Sequence, residues 1–131
     1  MNNIRVCVSG YFDPLHVGHI DYLRKAKELG DILIIILNNE NQKNNTRTLP
    51  LNFNDRRKII ESIKYVDEVF ESIDNDENVI KSLEYLKPDI FAKGSSASFA
   101  EVKFCKNNNI EIINNVGSQL HIQDLLADFR N

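Results

Sequence analysis

Apolar positions change their period repeatedly along the chain. Residues 4–9, Ile-Arg-Val-Cys-Val-Ser, are short and β-branched and predict a strand. Residues 10–17 hold Gly10 and Pro14 and predict a loop. From Gly18 the pattern turns helical, with Val17, Ile20, Leu23 and Ala26 recurring every third residue and Leu29 following. Gly30 is expected to stop this helix as its C-terminal cap. Residues 32–37 are uninterruptedly apolar, the mark of a strand covered on both faces. A long polar loop, 38–51, contains Pro50. Asn54 or Asp55 can then cap a helix carrying Ile59, Ile60 and Ile63, before a strand over 66–70. Asp74 to Asp76 offer caps for a helix with Val79, Leu83 and Leu86, which Pro88 ends. A strand over 89–92, a small-residue turn over 94–97, a helix over 99–108, a strand over 110–113 and a last helix over 119–129 complete the reading.

Five strands alternating with helices predict an α/β fold: an open, Rossmann-like, parallel five-stranded sheet with helices on both faces, a single domain over 1–131. Such sheets bind ligands beyond the carboxyl ends of their strands, where strand order reverses. The loop after the first strand is the place to look for chemistry.

That loop reads Gly10-Tyr11-Phe12-Asp13-Pro14-Leu15-His16-Val17-Gly18-His19. Two of the chain's three histidines stand here, three residues apart, where a helix begins. A helix N-terminus presents unpaired N–H groups and a positive dipole end, which suits an anion. Gly18 has no β-carbon, so a phosphate can come close to its backbone. Two imidazoles beside it can donate to phosphate oxygens and stabilise charge that grows in a transition state. The plainer alternative is a pair of histidines that merely cap the helix or fill space. Two histidines without a nearby cysteine or carboxylate set are too few for a protein-held zinc ion.

The wider pattern, strand, Gly-x-Phe-Asp, two residues, His-x-Gly-His, helix, resembles the signature of the nucleotidyltransferases of the cytidylyltransferase-like superfamily. Residues 56–69, from Arg56-Arg57-Lys58 to Asp67-Glu68-Val69, resemble the second-helix block of glycerol-3-phosphate cytidylyltransferases. Residues 87–94, Lys-Pro-Asp-Ile-Phe-Ala-Lys-Gly, are similar to the fourth-strand block of heptose-1-phosphate adenylyltransferases. The resemblance covers roughly residues 4–126.

The resemblance implies transfer of CMP or AMP from CTP or ATP to a small phosphorylated alcohol or sugar. The acceptor's phosphate oxygen attacks the α-phosphorus in line, and pyrophosphate leaves as its magnesium complex. It implies catalytic roles for His16, His19, Arg56 and Lys43, with Arg47 as a substitute for Lys43. An ordinary surface lysine is an equal reading of position 43. Gly10, Tyr11, Phe12, Gly18, Lys93, Gly94 and Ser118 are the implied nucleotide-binding residues. Asp13 is expected to shape the loop. Mg2+ is the implied cofactor, brought in with the triphosphate, and no protein-held metal site is expected. Relatives of this size imply a homodimer.

Two departures stand out. The family's last helix opens on a run of hydroxyl residues, and here the run is Ser118-Gln119-Leu120-His121, with only Ser118 kept. After the fourth strand the family has an aspartate, and here Lys93-Gly94-Ser95-Ser96 has none. The alternative reading is therefore a nucleotide-binding module of the same fold with little turnover.

Composition trims the remaining classes. In 131 residues, 16 basic and 19 acidic side chains give a net charge of −3, spread without a basic stripe, so nucleic acid and membrane surfaces are not expected partners. The N-terminal residues lack the apolar stretch of a signal peptide, and a cytoplasmic location is expected. Cys7 and Cys105 are the only cysteines, and they read as free thiols.

Overall fold

A computed structural model of the chain describes residues 3–13, 15–42 and 51–117. Lys43, Arg47, Ser118, His121 and the helix expected over 119–129 lie outside the described residues.

Five parallel strands form one sheet in the order β3-β2-β1-β4-β5. They are β1 (Arg5–Gly10), β2 (Ile32–Leu37), β3 (Glu68–Glu71), β4 (Ile90–Ala92) and β5 (Glu111–Ile113). Helices α1 (Val17–Glu28), α2 (Phe53–Glu61), α3 (Ile80–Leu86) and α4 (Phe99–Asn107) alternate with them, and a 3-10 turn (Glu40–Gln42) follows β2. The chain runs outward from β1 to β2 and β3, then returns to the other side of β1 for β4 and β5. The order therefore reverses between β1 and β4, and the loops leaving those two strands flank the reversal.

The sheet separates two apolar layers. Val6, Val8, Leu33, Ile35 and Leu37 point toward Tyr22, Leu23 and Ala26 of α1 and Phe53 and Ile60 of α2. The alternate residues Cys7, Ile34, Ile36 and Phe91 meet Leu83 and Leu86 of α3 and Cys105 of α4. The period-two alternation of a strand thus feeds both faces, which is why 32–37 is apolar throughout. Cys7 and Cys105 are both buried and unpaired. Burial pushes their thiols up to about 12 and about 11, so neither is a ready nucleophile.

Several local expectations are corrected. The second helix is capped by Asn52, ahead of the expected Asn54 or Asp55, with its Oδ1 accepting from the Asp55 N–H at 2.9 Å. Phe53 sets that start, because it opens the helix and is buried against the core. The third helix has no capping side chain at Val79, yet Asp74 reaches its first turn from upstream and accepts from the N–H groups of Lys81 and Ser82. Gly30 is not in the left-handed region. A β-carbon there would fall 2.7 Å from Val6 Cγ2 and 2.8 Å from the Ile4 carbonyl, so closeness rather than helix-stop geometry calls for glycine. Strand β1 ends one residue later than expected, so Gly10 belongs to it, and β3 starts at Glu68 rather than residue 66.

Candidate active site

The first turn of α1 is built around its two histidines. His16 is the N-cap residue, in extended conformation, and its Nδ1 accepts from the Gly18 N–H at 3.1 Å. His19 reaches back, and its Nδ1 accepts from the His16 N–H at 3.1 Å. The two side chains thereby close a reciprocal capping box, a role normally held by a serine or threonine with a glutamate. The rings stack with centroids 3.8 Å apart and planes 23° apart. An imidazole that accepts at Nδ1 and is neutral carries its proton on Nε2. The capping reading and the chemical reading are therefore compatible: one nitrogen of each ring fixes the ring, and the other is a donor. The Gly18 N–H, expected to meet phosphate, is the group that holds His16.

His19 is kept neutral. Burial first, and the neighbouring His16 second, pull its pKa from 6.5 to about 4. Phe12 supports it from the other side, edge-on, with centroids 5.0 Å apart. Phe12 takes a left-handed backbone (φ 53), unusual for a side chain of that size, and is buried. Gly10 makes room for it, since a β-carbon there would lie 3.0 Å from the Phe12 ring. Phe12 and Gly10, expected along the nucleotide, are thus committed to propping the histidine pair.

Arg56, expected on phosphate, lies wholly inside the protein. Its guanidinium donates to the carbonyls of Tyr11 (3.1 Å) and Asn38 (2.8 Å) and to Glu40 Oε1 (3.0 Å). It ties the loop leaving β1 to the loop leaving β2. Tyr11 adds a second tie, its hydroxyl donating to the Gln42 carbonyl. Asn39 and Gln42 extend the knot toward the loop after β3: Asn39 Nδ2 donates to the carbonyls of Ser72 and Asp74, and Gln42 Nε2 to those of Asp76 and Asn78. Asp13 shapes the loop as expected, one carboxylate oxygen accepting from the Leu51 N–H at 3.1 Å. Its other oxygen is buried with no hydrogen-bond partner among the described residues.

Across the reversal, Lys93 and Gly94 follow β4. The Lys93 ammonium turns toward α4, 3.7 Å from Glu101 Oε1 and over the Phe91 ring. Glu101 is buried and also accepts from the Ser98 N–H, completing a capping box at the start of α4. A β-carbon on Gly94 would meet only the Tyr22 ring at 3.8 Å, so the fold does not itself demand glycine there. His16, His19, Gly18, Tyr11 and Phe12 thus gather at the end of β1, and Gly94 stands at the end of β4. Lys93 has its backbone there and its charge elsewhere.

Comparison with known proteins decides the family. Residues 7–122 match the cytidylyltransferase-like family. The chain belongs to that family, a family of nucleotidyltransferases. It is 43% identical over 98 residues to FAD synthase of Pyrococcus abyssi, covering 73% of this chain and 66% of the relative. It is 38% identical over 112 residues to the bifunctional protein HldE of Helicobacter pylori, covering 80% of this chain and 24% of that protein. Among solved structures it is similar to a lipopolysaccharide core biosynthesis protein from Thermoplasma volcanium, with TM-score 0.77 and 29% identity over 92% of this chain and 100% of that one. The matches to archaeal FAD synthases span just under two thirds of the relatives' length in the first cases. The architecture follows the expectation of an open parallel Rossmann-like sheet.

Proposed function

We propose that the chain is an adenylyltransferase that moves AMP from ATP to a small phosphorylated acceptor, FMN in the first instance. The observation that carries the reading is the stacked pair of His16 and His19 at the start of α1, each ring fixed through its Nδ1. Donors held in place before reaction stabilise charge on the α-phosphate and departing pyrophosphate without reorganising. Neutral donors suit this site, because they attract a tetraanionic triphosphate less than full cations would and release pyrophosphate more readily. The choice of ATP and FMN is supported by the FAD synthases, whose product is FMN joined to AMP. The match to HldE, which covers more of this chain, supports a heptose phosphate as the second acceptor class.

In this reaction an acceptor phosphate oxygen bonds to the α-phosphorus as the bond to the bridging oxygen of pyrophosphate breaks. The protein's task is alignment and charge stabilisation. Arg56 acts by position, holding the loops after β1 and β2 at a fixed spacing. Lys43 and Ser118 are proposed for the acceptor and triphosphate phosphates. No group of three or more potential metal ligands occurs among the described residues. Magnesium keeps most of its waters and binds through substrate phosphates with one or two carboxylates. Asp13, with one buried oxygen unpartnered among the described residues, is the loop carboxylate that fits such an ion. The ion would supply charge neutralisation on the triphosphate.

Melting curves test the nucleotide half of this reading. A ligand that binds only the native state stabilises it by about 2.7 kcal/mol at a hundredfold excess over Kd. ATP with magnesium is expected to raise the midpoint more than CTP, GTP or UTP. Equal shifts for all four, or none at millimolar concentration, would overturn it.

A further inference from the structure

One buried side chain touches every element that meets at the reversal. Tyr22 lies one turn after His19 on α1, the i,i+3 spacing that puts both on one side of the helix. Its hydroxyl donates to the Ala92 carbonyl at the end of β4, at 2.5 Å. Its ring lies in the same apolar layer as Val6 and Val8 of β1. The ring lies beneath Gly94, 3.8 Å from where a β-carbon would be. Gly117, at φ +85 beyond β5, is pressed against the same residue: a β-carbon there would fall 2.7 Å from Tyr22 Cα.

We propose that Tyr22 is a positioning residue that sets the register between the phosphate half of the nucleotide site, at the start of α1, and the nucleoside half, at the Lys93–Gly94 loop. The inference rests on the proposed function, which reads those two segments as halves of one nucleotide site. The geometry supports it in this way. Helix α1 crosses from β1 to β2, on the far side of β1 from β4. The sheet pairs β1 directly with β4 but leaves the seating of the His16–His19 turn against the β4 loop to side-chain contacts. The Tyr22 hydroxyl is a directional contact between them, and hydrogen bonds fix distance more sharply than apolar packing does. A joined ligand gains from two subsites only when both are met at once, and loses that gain if their spacing is wrong.

The test separates coupling from stability. Tyr22→Phe keeps the ring and removes the hydroxyl. Binding of adenosine, of pyrophosphate and of intact ATP is measured by calorimetry on wild type and variant. Expected is a loss of about tenfold or more for intact ATP, with adenosine and pyrophosphate each within about twofold of wild type. Where FMN is turned over, kcat is expected to fall more than the KM for FMN. Parallel loss for all three ligands would mark Tyr22 as merely structural, and unchanged ATP binding would show that it sets no register. Either result overturns the inference. So would a wild type that binds ATP no more tightly than its fragments. Should Tyr22→Phe not fold, Tyr22→Met also lacks the hydroxyl, in a smaller and more adaptable apolar side chain, and carries the same expected ratio. The binding arms do not depend on the acceptor: absence of FAD formation would strike the FMN reading and leave this one standing.

Discussion

His16 and His19 stack at 3.8 Å, and each gives its Nδ1 to a backbone N–H of the turn it starts. This relationship makes a helix cap and a pair of oriented donors out of the same two rings. It also makes them interdependent, since the ring of one is part of what buries the other and its charge opposes the other's protonation.

The pH behaviour of His19 follows. Its folded pKa, about 4, lies below the ordinary 6.5. Between these values the unfolded chain binds more protons than the native one, so stability falls as pH drops from 6.5 toward 4 and is complete above 6.5. An NMR titration should place the His19 midpoint near 4. In His16→Ala the midpoint should move up, because a like charge and part of the cover are both removed. A midpoint unchanged by that substitution would contradict the coupling.

Loss of either donor should be costly to turnover. His16→Ala and His19→Ala are each expected to lower kcat by about 100–1,000-fold, the usual effect of removing one preorganised donor. His16→Ala also removes a helix cap, worth about 1 kcal/mol, whereas His16→Asn keeps a capping oxygen and loses the chemistry. Steady-state kinetics beside chemical denaturation of the three variants resolve the two roles. Activity near wild type in His16→Asn would mean that His16 is a cap alone.

Arg56 should matter to the fold before it matters to the reaction. Arg56→Leu leaves the buried Asn38 carbonyl and the Tyr11 carbonyl without their guanidinium donor, and each such loss costs about 1–3 kcal/mol. Glu40→Gln should change stability by less than about 1 kcal/mol, because Glu40 is 47% exposed and its ion pair is screened. Urea denaturation measures both. A stable Arg56→Leu whose only defect is weak triphosphate binding would return Arg56 to the role of phosphate ligand that the sequence suggested.

Much of this architecture was legible in the residues. The apolar run 32–37 announced a doubly covered strand, and the His-x-Gly-His motif after the first strand marked the candidate site. What escaped was whatever depends on long-range geometry. Arg56 gives no sign in sequence that it points inward, because its acceptors are backbone carbonyls of residues 11 and 38. Phe12 is expected along the nucleotide, and its left-handed backbone and its contact with His19 are not legible in the residues. Lys93 is expected on the nucleotide, and the partner of its ammonium, Glu101, lies on the next helix. One signal was available and unused: Ser98-Phe99-Ala100-Glu101 has the spacing of a capping box, and the structure forms it.

The capping box at α4 offers a contrast to the histidine pair. Ser98→Ala should lower stability by about 0.5–2 kcal/mol, as loss of an N-cap does, and leave the KM for ATP near wild type. A marked rise in that KM would show that the Lys93–Glu101 contact, anchored by this turn, shapes the nucleotide site.

The most direct test of the proposed function is product formation. Protein, ATP, FMN and magnesium are incubated, and the mixture is analysed by chromatography and mass spectrometry beside a pyrophosphate assay, with CTP replacing ATP in a parallel reaction. The account predicts FAD and equimolar pyrophosphate with ATP, little product with CTP, and loss of both products in His19→Ala. Absence of any nucleotidyl product from ATP with FMN and with a heptose 1-phosphate, in a protein that is folded and binds ATP, would contradict it.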